Sequence, residues 1–194
     1  MKEADSLKER IRRLFTNVWT IPNVLTMIRM IMIPVFVILF FNGARKAALA
    51  VFIAASLTDL LDGFLARKLN QITDFGKLFD PLADKLMVLT VMVCQGIAGV
   101  LPWTAIAVVA VKELIMVIGG MFMLSKDVVV YSNLAGKTAM VFFVASLLLS
   151  FFHDELAAWG VQLDIILLWI TVGLAMIALV LYALGVVKTL KKKA

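Results

Sequence analysis

The sequence predicts an all-α integral membrane protein in which six transmembrane helices follow an amphipathic interfacial helix. Of its 194 residues, 63% are hydrophobic, whereas a soluble domain has roughly 45–50%. The mean hydropathy of the chain is +1.02. Six apolar runs each approach the ~20 residues that a helix needs to cross a bilayer. Basic residues concentrate in alternate connections, as expected when one side of the membrane holds the positive loops.

Residues 1–20 are expected to form the interfacial helix. Leu7, Ile11 and Leu14 recur at helical spacing, and basic residues such as Arg12 and Arg13 lie between them. A basic amphipathic helix of this kind lies in the plane of the membrane surface. The long charged stretch and the absence of a small-residue cleavage site distinguish it from a signal peptide. A partner-binding or solvated helix is the alternative interpretation.

Apolar runs and the polar breaks between them give the order of the spans. Residues 21–190 are expected to form one six-helix domain, followed by a basic cytoplasmic tail at 191–194. The segment from His153 to Gly160 is expected to be a loop in which the lone histidine is solvated. The expected spans are 21–41, 44–66, 76–98, 101–124, 134–152 and 163–187.

The positive charges orient the spans. If the amino terminus is cytoplasmic, nearly all loop lysines and arginines fall on the cytoplasmic side, so both termini are expected there. The chain is then a multi-pass protein of the cytoplasmic membrane in contact with membrane lipids. The net charge of +6 is explained by this bias and by anionic lipid rather than by nucleic acid. The single cysteine excludes an intramolecular disulfide.

Four aspartates interrupt the apolar pattern near the predicted cytoplasmic side. Asp59 and Asp62 lie near the end of the second run, and Asp80 and Asp84 lie near the start of the third. An ionised carboxylate inside a membrane helix costs about 2.5–3.5 kcal/mol, so four of them need a cation. Each pair shares one face of its helix because its members are three or four residues apart. Two facing helices would present an oxygen-rich pocket suited to Mg²⁺.

A polar stripe crosses the first span. Asn23, Thr26 and Arg29 recur every three residues in an otherwise apolar helix. Asn23 follows a proline near the helix start, a position that favours a capping role. Arg29 lies about two turns into the membrane, so it needs an anionic partner.

The spacing of the acids resembles a known motif. The fixed positions are those of D-x2-D-G-x2-A-R-x8-G-x3-D-x3-D, the signature of the CDP-alcohol phosphotransferase family. Six spans with the motif across the second and third also resemble this family. The matching residues are Asp59, Asp62, Gly63, Ala66, Arg67, Gly76, Asp80 and Asp84.

This resemblance implies transfer of a phosphatidyl group from CDP-diacylglycerol to an alcohol, with release of CMP. It implies two Mg²⁺ ions, with Mn²⁺ as an alternative, held by Asp59, Asp62, Asp80 and Asp84. It also implies that Asp84 removes the proton of the acceptor hydroxyl and that the protein is a homodimer. The residues expected at the CDP-lipid are Asn23, Thr26, Arg29, Gly63, Arg67 and Thr73.

Several segments resemble the branch of the family that uses glycerol 3-phosphate and makes phosphatidylglycerophosphate, among them PN-x-LT-x2-R and DPLADK. Basic residues bind the acceptor's phosphate in relatives, so Lys137 is a candidate here and Lys112 a second one. Lys112 and Glu113 are adjacent, and they are expected to point in different directions without pairing. The chain departs from that branch at Gly119-Gly120, where an arginine is usual, and after Lys137.

Three alternatives stay open at the level of sequence. A relative that uses phosphatidylglycerol as acceptor would be a cardiolipin synthase, and the two departures fit such a change. A cation transporter would also place acids in the membrane, although spread over its depth rather than clustered at one end. A non-catalytic lipid-binding scaffold would not depend on Asp84.

Overall fold

The computed structural model describes residues 20–68, 73–125 and 134–193, and helices dominate these ranges. No strand occurs in them, so the all-helical class is confirmed for this part of the chain. The interfacial helix predicted for residues 1–20 falls outside the described residues, apart from Thr20. The helices are α1 Ile21–Phe41, α2 Arg45–Lys68, α3 Asp74–Ile97, α4 Trp103–Ser125, α5 Leu134–Ser150, α6 His153–Ala158 and α7 Leu163–Lys193.

Six of these helices follow the six predicted spans closely. Most helix ends lie within about two residues of the apolar boundaries, because the change from apolar to turn-forming residues also ends the helix. Among the described residues, α1 and Leu163–Val187 of α7 are long and apolar enough to cross a membrane. The apolar part of α5, Thr138–Ser150, is shorter. The count of six spans therefore stays a prediction.

Three glycines make the tight turns that follow α1, α3 and α6. Gly43, Gly99 and Gly160 have φ values of 76°, 78° and 76°, a left-handed conformation that costs glycine little. At each turn the glycine amide and the next amide donate to carbonyl groups of the last helical turn. These two hydrogen bonds form the Schellman motif. They provide donors for carbonyl groups that would otherwise lack a partner at the end of the helix.

The segment between α5 and α7 differs from the expected loop. It contains the six-residue helix α6, whose first residue His153 is paired rather than simply solvated. The Nδ1 atom of His153 lies 2.7 Å from Oδ2 of Asp164, a residue of the first turn of α7 that is 0% exposed. A buried carboxylate requires such a partner, since an unpaired buried charge is costly. The prediction of a solvated histidine was wrong.

The chain divides into two compact units, Met1–Val91 and Met92–Ala194. In the first unit, α1 packs along α2, with Phe36 and Phe52 fully buried, and polar contacts connect α1 to α3. In the second unit, α7 packs against α4, α5 and α6. The sequence motif begins and ends within the first unit, which therefore contains the candidate site.

Candidate active site

The first contact of the site is an ion pair between α1 and α2. Arg29 NH1 lies 2.9 Å from Oδ1 of Asp59, and the two side chains are 1% and 22% exposed. The sequence required an anionic partner for Arg29, and this expectation is confirmed. The pair also ties the first acid of the motif to the polar stripe of α1.

The second contact joins α1 to α3. The Thr26 hydroxyl lies within hydrogen-bond distance of Oδ1 of Asp80 and 3.1 Å from the carbonyl oxygen of Pro22. A hydroxyl has one proton to donate, and a carboxylate is a stronger acceptor than a carbonyl group. Thr26 is fully buried, so this hydroxyl fixes one oxygen of a carboxylate in the motif.

The third contact explains where α3 begins. The Thr73 hydroxyl accepts a hydrogen bond from the Gly76 amide at 3.0 Å, which is the N-cap arrangement for a helix that starts at Asp74. The same hydroxyl donates to Oδ1 of Asn23 at 2.8 Å. Thr73 therefore caps α3 and attaches its first turn to the start of α1.

Asn23 has a different role from the one expected. Helix α1 begins at Ile21 with Thr20 at the N-cap, so Asn23 lies inside the first turn and does not cap it. Its side-chain oxygen instead accepts the hydrogen bond from Thr73 across the unit. The capping interpretation was wrong because the helix starts before Pro22 rather than after it.

Gly76 lies where three side-chain oxygens meet. A Cβ atom at this position would lie 2.9 Å from Asn23 Oδ1 and 3.2 Å from both Asp80 Oδ2 and Thr73 Oγ1. Contacts this short displace the neighbouring atoms. Sequence reasoning gave Gly76 no role at the site, although it is a fixed position of the motif. The glycine therefore allows the side-chain oxygens of Asn23, Thr73 and Asp80 to come close together at this point.

We expect Gly76→Ala to lower the free energy of unfolding by about 1–3 kcal/mol, because the methyl group forces Asn23, Thr73 or Asp80 to move. Unfolding of the purified protein in mixed detergent micelles measures this change. Gly173→Ala is the matched control, since a Cβ there meets nothing within 4 Å and α7 continues through it. An equal effect of both substitutions would contradict the role given to Gly76.

The oxygen chemistry of the site fits a divalent cation. Asp59 on α2 and Asp80 on α3 supply carboxylates, and each contacts a polar residue of α1. Side-chain oxygens of Asn23, Thr73 and Asp80 come close to one another beside Gly76, and oxygen atoms of these kinds are ligands that Mg²⁺ prefers. Among the side chains that the structure describes, no three histidine, cysteine, aspartate or glutamate residues converge. The side chain of Asp62 is not among those that the structure describes.

The remaining expected site residues divide into two groups. Asp84 is partly buried one turn after Asp80 on α3 and has further interactions within the protein. Four other residues lie in helices, but the structure describes nothing of them beyond the helical backbone. Their roles therefore stay predictions. The four residues are Asp62, Gly63, Arg67 and Lys137.

Lys112 and Glu113 lie in the second unit and form an ion pair, which corrects the expectation that they do not pair. The long lysine side chain bends toward the carboxylate of its neighbour, and in apolar surroundings the pairing avoids an isolated charge. Lys112 also lines an open groove of about 330 Å³ between α4 and α7, whose other lining residues are apolar.

The comparisons with known proteins agree with the motif. The family model described as CDP-alcohol phosphatidyltransferase matches residues 19–184 of this chain. A CDP-diacylglycerol–glycerol-3-phosphate 3-phosphatidyltransferase of Rickettsia typhi is 51% identical over 71 residues, 35% of this chain and 40% of that protein. A probable phosphatidylglycerophosphate synthase of Mycobacterium tuberculosis is 38% identical over 98 residues, 47% of each chain.

A longer match covers nearly the whole chain. A CDP-diacylglycerol–glycerol-3-phosphate 3-phosphatidyltransferase 2 of Arabidopsis thaliana is 33% identical over 202 aligned positions, 93% of this chain and 85% of that protein. In the bacterial matches the aligned part spans less than half of the relative's own length. The family model itself extends from before α1 into α7 and includes every aspartate of the motif. The chain belongs to the CDP-alcohol phosphatidyltransferase family.

Proposed function

We propose that this protein transfers the phosphatidyl group of CDP-diacylglycerol to glycerol 3-phosphate, giving phosphatidylglycerophosphate and CMP. The observation that carries the proposal is the family match over residues 19–184, with two acids of the motif, Asp59 and Asp80, held by α1 in one compact unit. The names of the relatives from Rickettsia typhi and Arabidopsis thaliana specify the same donor and acceptor.

We propose that the protein crosses the membrane six times, with the interfacial helix at residues 1–20 and both termini in the cytoplasm. The family is membrane-associated, and the lengths of α1 to α5 and α7 suit this arrangement. The three glycine turns all fall at connections that the charge pattern places on the outer side. The homodimer implied by the family resemblance stays a prediction.

Asp59, Asp62, Asp80 and Asp84 would hold two Mg²⁺ ions, with Mn²⁺ as a substitute. When bound, the ions would neutralise the diphosphate of the donor and stabilise the departing CMP. Without them the negative donor would be repelled by the carboxylates. Asp59 and Asp80 each have one oxygen engaged by α1, an arrangement that orients a carboxylate toward a ligand.

The reaction is an alcoholysis of the diphosphate. The hydroxyl oxygen of the acceptor forms a bond to the lipid-side phosphorus, and the bond from that phosphorus to the CMP oxygen breaks. Asp84 accepts the proton of the hydroxyl, as general base. Its low ordinary basicity means that the hydroxyl must be strongly polarised when the proton leaves. The acceptor gains a phosphodiester bond, and CMP takes the electron pair of the broken bond.

Basic and polar residues near the motif would bind the rest of the donor. Gly63 would allow close approach of the nucleotide, Arg67 would pair with a phosphate, and Thr73 and Asn23 would border the nucleotide through their shared hydrogen bond. Lys137 is the candidate for the acceptor's phosphate. Lys112 is already neutralised by Glu113 and lines an apolar groove, which favours a structural role for it.

Purified full-length protein with CDP-diacylglycerol, Mg²⁺ and labelled glycerol 3-phosphate tests the proposal. We expect labelled lipid and an equal amount of CMP, both abolished by a chelator and restored by added Mg²⁺. Turnover with phosphatidylglycerol alone would instead identify a cardiolipin synthase. Metal-dependent ion flux in vesicles without CMP release would identify a transporter. If neither CMP release nor ion flux occurs, the protein is a lipid-binding scaffold. Each of these three outcomes contradicts the proposed function.

A further inference from the structure

The polar stripe of α1 is buried along its whole length. Asn23, Thr26 and Arg29 are 1%, 0% and 1% exposed, although they belong to an apolar helix. Burying polar groups is costly unless each finds a partner. The stripe must therefore serve contacts inside the first unit.

Each residue of the stripe contacts a polar group of α2 or of the start of α3. Asn23 accepts from Thr73, Thr26 donates to Asp80, and Arg29 pairs with Asp59. Two of these three partners are acids of the motif. The resemblance assigned Thr26 and Arg29 to the CDP-lipid, but the structure directs both side chains to carboxylates of the protein.

We propose that Thr26 and Arg29 are positioning residues that hold Asp80 and Asp59 in the orientation needed to bind the cations. The identity of the cations rests on the proposed function, whereas the contacts themselves are seen in the structure. Residues that hydrogen-bond to metal ligands fix the rotamer of the ligand, and their loss typically costs 10–100-fold in metal affinity.

The geometry divides the two oxygens of Asp80 between different tasks. Oδ1 accepts from Thr26, while Oδ2 lies beside Gly76, 3.2 Å from where a Cβ atom of that residue would be. The hydroxyl thus engages one oxygen of Asp80, and the second oxygen is the one that a cation would take. Thr73 and Asn23 also lie beside Gly76, and their hydrogen bond fixes the start of α3 relative to α1.

Arg29 supports the cluster in a second way. Its guanidinium lies 2.9 Å from Asp59, whose helix and that of Asp80 both contact α1 through polar side chains. In a medium of low dielectric constant two neighbouring carboxylates repel strongly. A fixed guanidinium reduces this repulsion before a cation arrives, so the acids can stay close together and ready to bind.

Mn²⁺ binding to the purified full-length protein, measured by electron paramagnetic resonance without substrate, tests the proposal. We expect Thr26→Val to raise the Kd for Mn²⁺ about 10-fold or more, and Thr26→Ser, which keeps the hydroxyl, to restore it to near the wild-type value. At saturating Mg²⁺, the KM for CDP-diacylglycerol should be unchanged. A second substitution, Arg29→Lys, keeps the charge but not the planar fork, and it should also raise the Kd.

Thr171→Val is the matched control for Thr26→Val. Thr171 is 2% exposed and donates to the carbonyl oxygen four residues before it, as Thr26 can, but it contacts no carboxylate of the described residues. This control should leave the Kd for Mn²⁺ unchanged. If Thr26→Val does not fold, Thr26→Ala removes the same hydroxyl without adding a methyl group.

Three results would overturn the positioning role. They are an unchanged Kd in both Thr26→Val and Arg29→Lys, a raised KM for CDP-diacylglycerol with unchanged Mn²⁺ binding, and no Mn²⁺ binding by the wild-type protein. The proposed function can fail separately. If Mn²⁺ binding weakens as expected but no alcohol releases CMP, the positioning role stands and the proposed reaction does not.

Discussion

Asp84→Asn should lower kcat for CMP release by about 10²–10⁴-fold, the usual contribution of a general base. The amide has nearly the size of the carboxylate but cannot accept the proton of the acceptor hydroxyl. Asp84 lies on α3 four residues after Asp80, so the two share a face of the helix. Release of CMP from CDP-diacylglycerol in the presence of glycerol 3-phosphate measures the effect.

The same variant should still bind Mn²⁺, because other carboxylates of the motif are retained. Glu155→Gln is its control, since it makes the same chemical change at an exposed residue of α6, and it should leave kcat unaltered. If Asp84→Asn keeps most of its turnover, Asp84 is not the base. If it loses both turnover and all Mn²⁺ binding, its role is that of a metal ligand.

Arg29→Met should lower the free energy of unfolding by about 3 kcal/mol or more, since removal of one partner of a buried ion pair leaves an uncompensated charge. Arg29 is 1% exposed and Asp59 22%, so water can relieve only part of the charge that remains. Unfolding in mixed detergent micelles, followed by circular dichroism, measures the loss.

The double variant Arg29→Met with Asp59→Asn should be more stable than Arg29→Met alone, because the isolated charge is removed as well. This double-mutant cycle isolates the interaction of the pair. Arg45→Met is the control for loss of an arginine at an exposed position of α2 and should change the stability little. Equal losses in the single and double variants would show that packing, not charge, explains the effect.

The sequence predicted the helices well because apolar runs of similar length alternate with turn-forming residues along it. Apolar runs of nearly 20 residues have few ways to fold, and glycines such as Gly43 and Gly99 end them at defined positions. The partner of Arg29 could be anticipated for the same reason, since a buried cation in an apolar helix requires an anion.

Contacts between side chains on different elements were harder to anticipate. Nothing local in the sequence specifies that Thr73 both caps α3 and reaches Asn23, 50 residues away. The pair of His153 and Asp164 was missed although the same rule applies, because an acid in the first turn of the apolar α7 also needs a partner. Asp164 in an apolar helix was therefore the sequence feature that could have predicted a partner such as His153.

The prediction that the adjacent residues Lys112 and Glu113 do not pair was wrong. Helical spacing separates the Cβ atoms of Lys112 and Glu113, but spacing does not limit where a flexible lysine amine ends. Periodicity predicts the face of a helix on which a side chain starts. It predicts the final position of a long charged group much less well, because that group follows the nearest opposite charge.

We propose above all that the acids of the motif hold divalent ions against the diphosphate of a CDP-lipid. A crystal structure of the protein with Mn²⁺ and CDP-diacylglycerol, recorded at the manganese absorption edge, tests it most directly. We predict anomalous density in contact with Asp59 and Asp80 and with the diphosphate. A bound CDP-lipid with no anomalous density beside these aspartates would contradict the account.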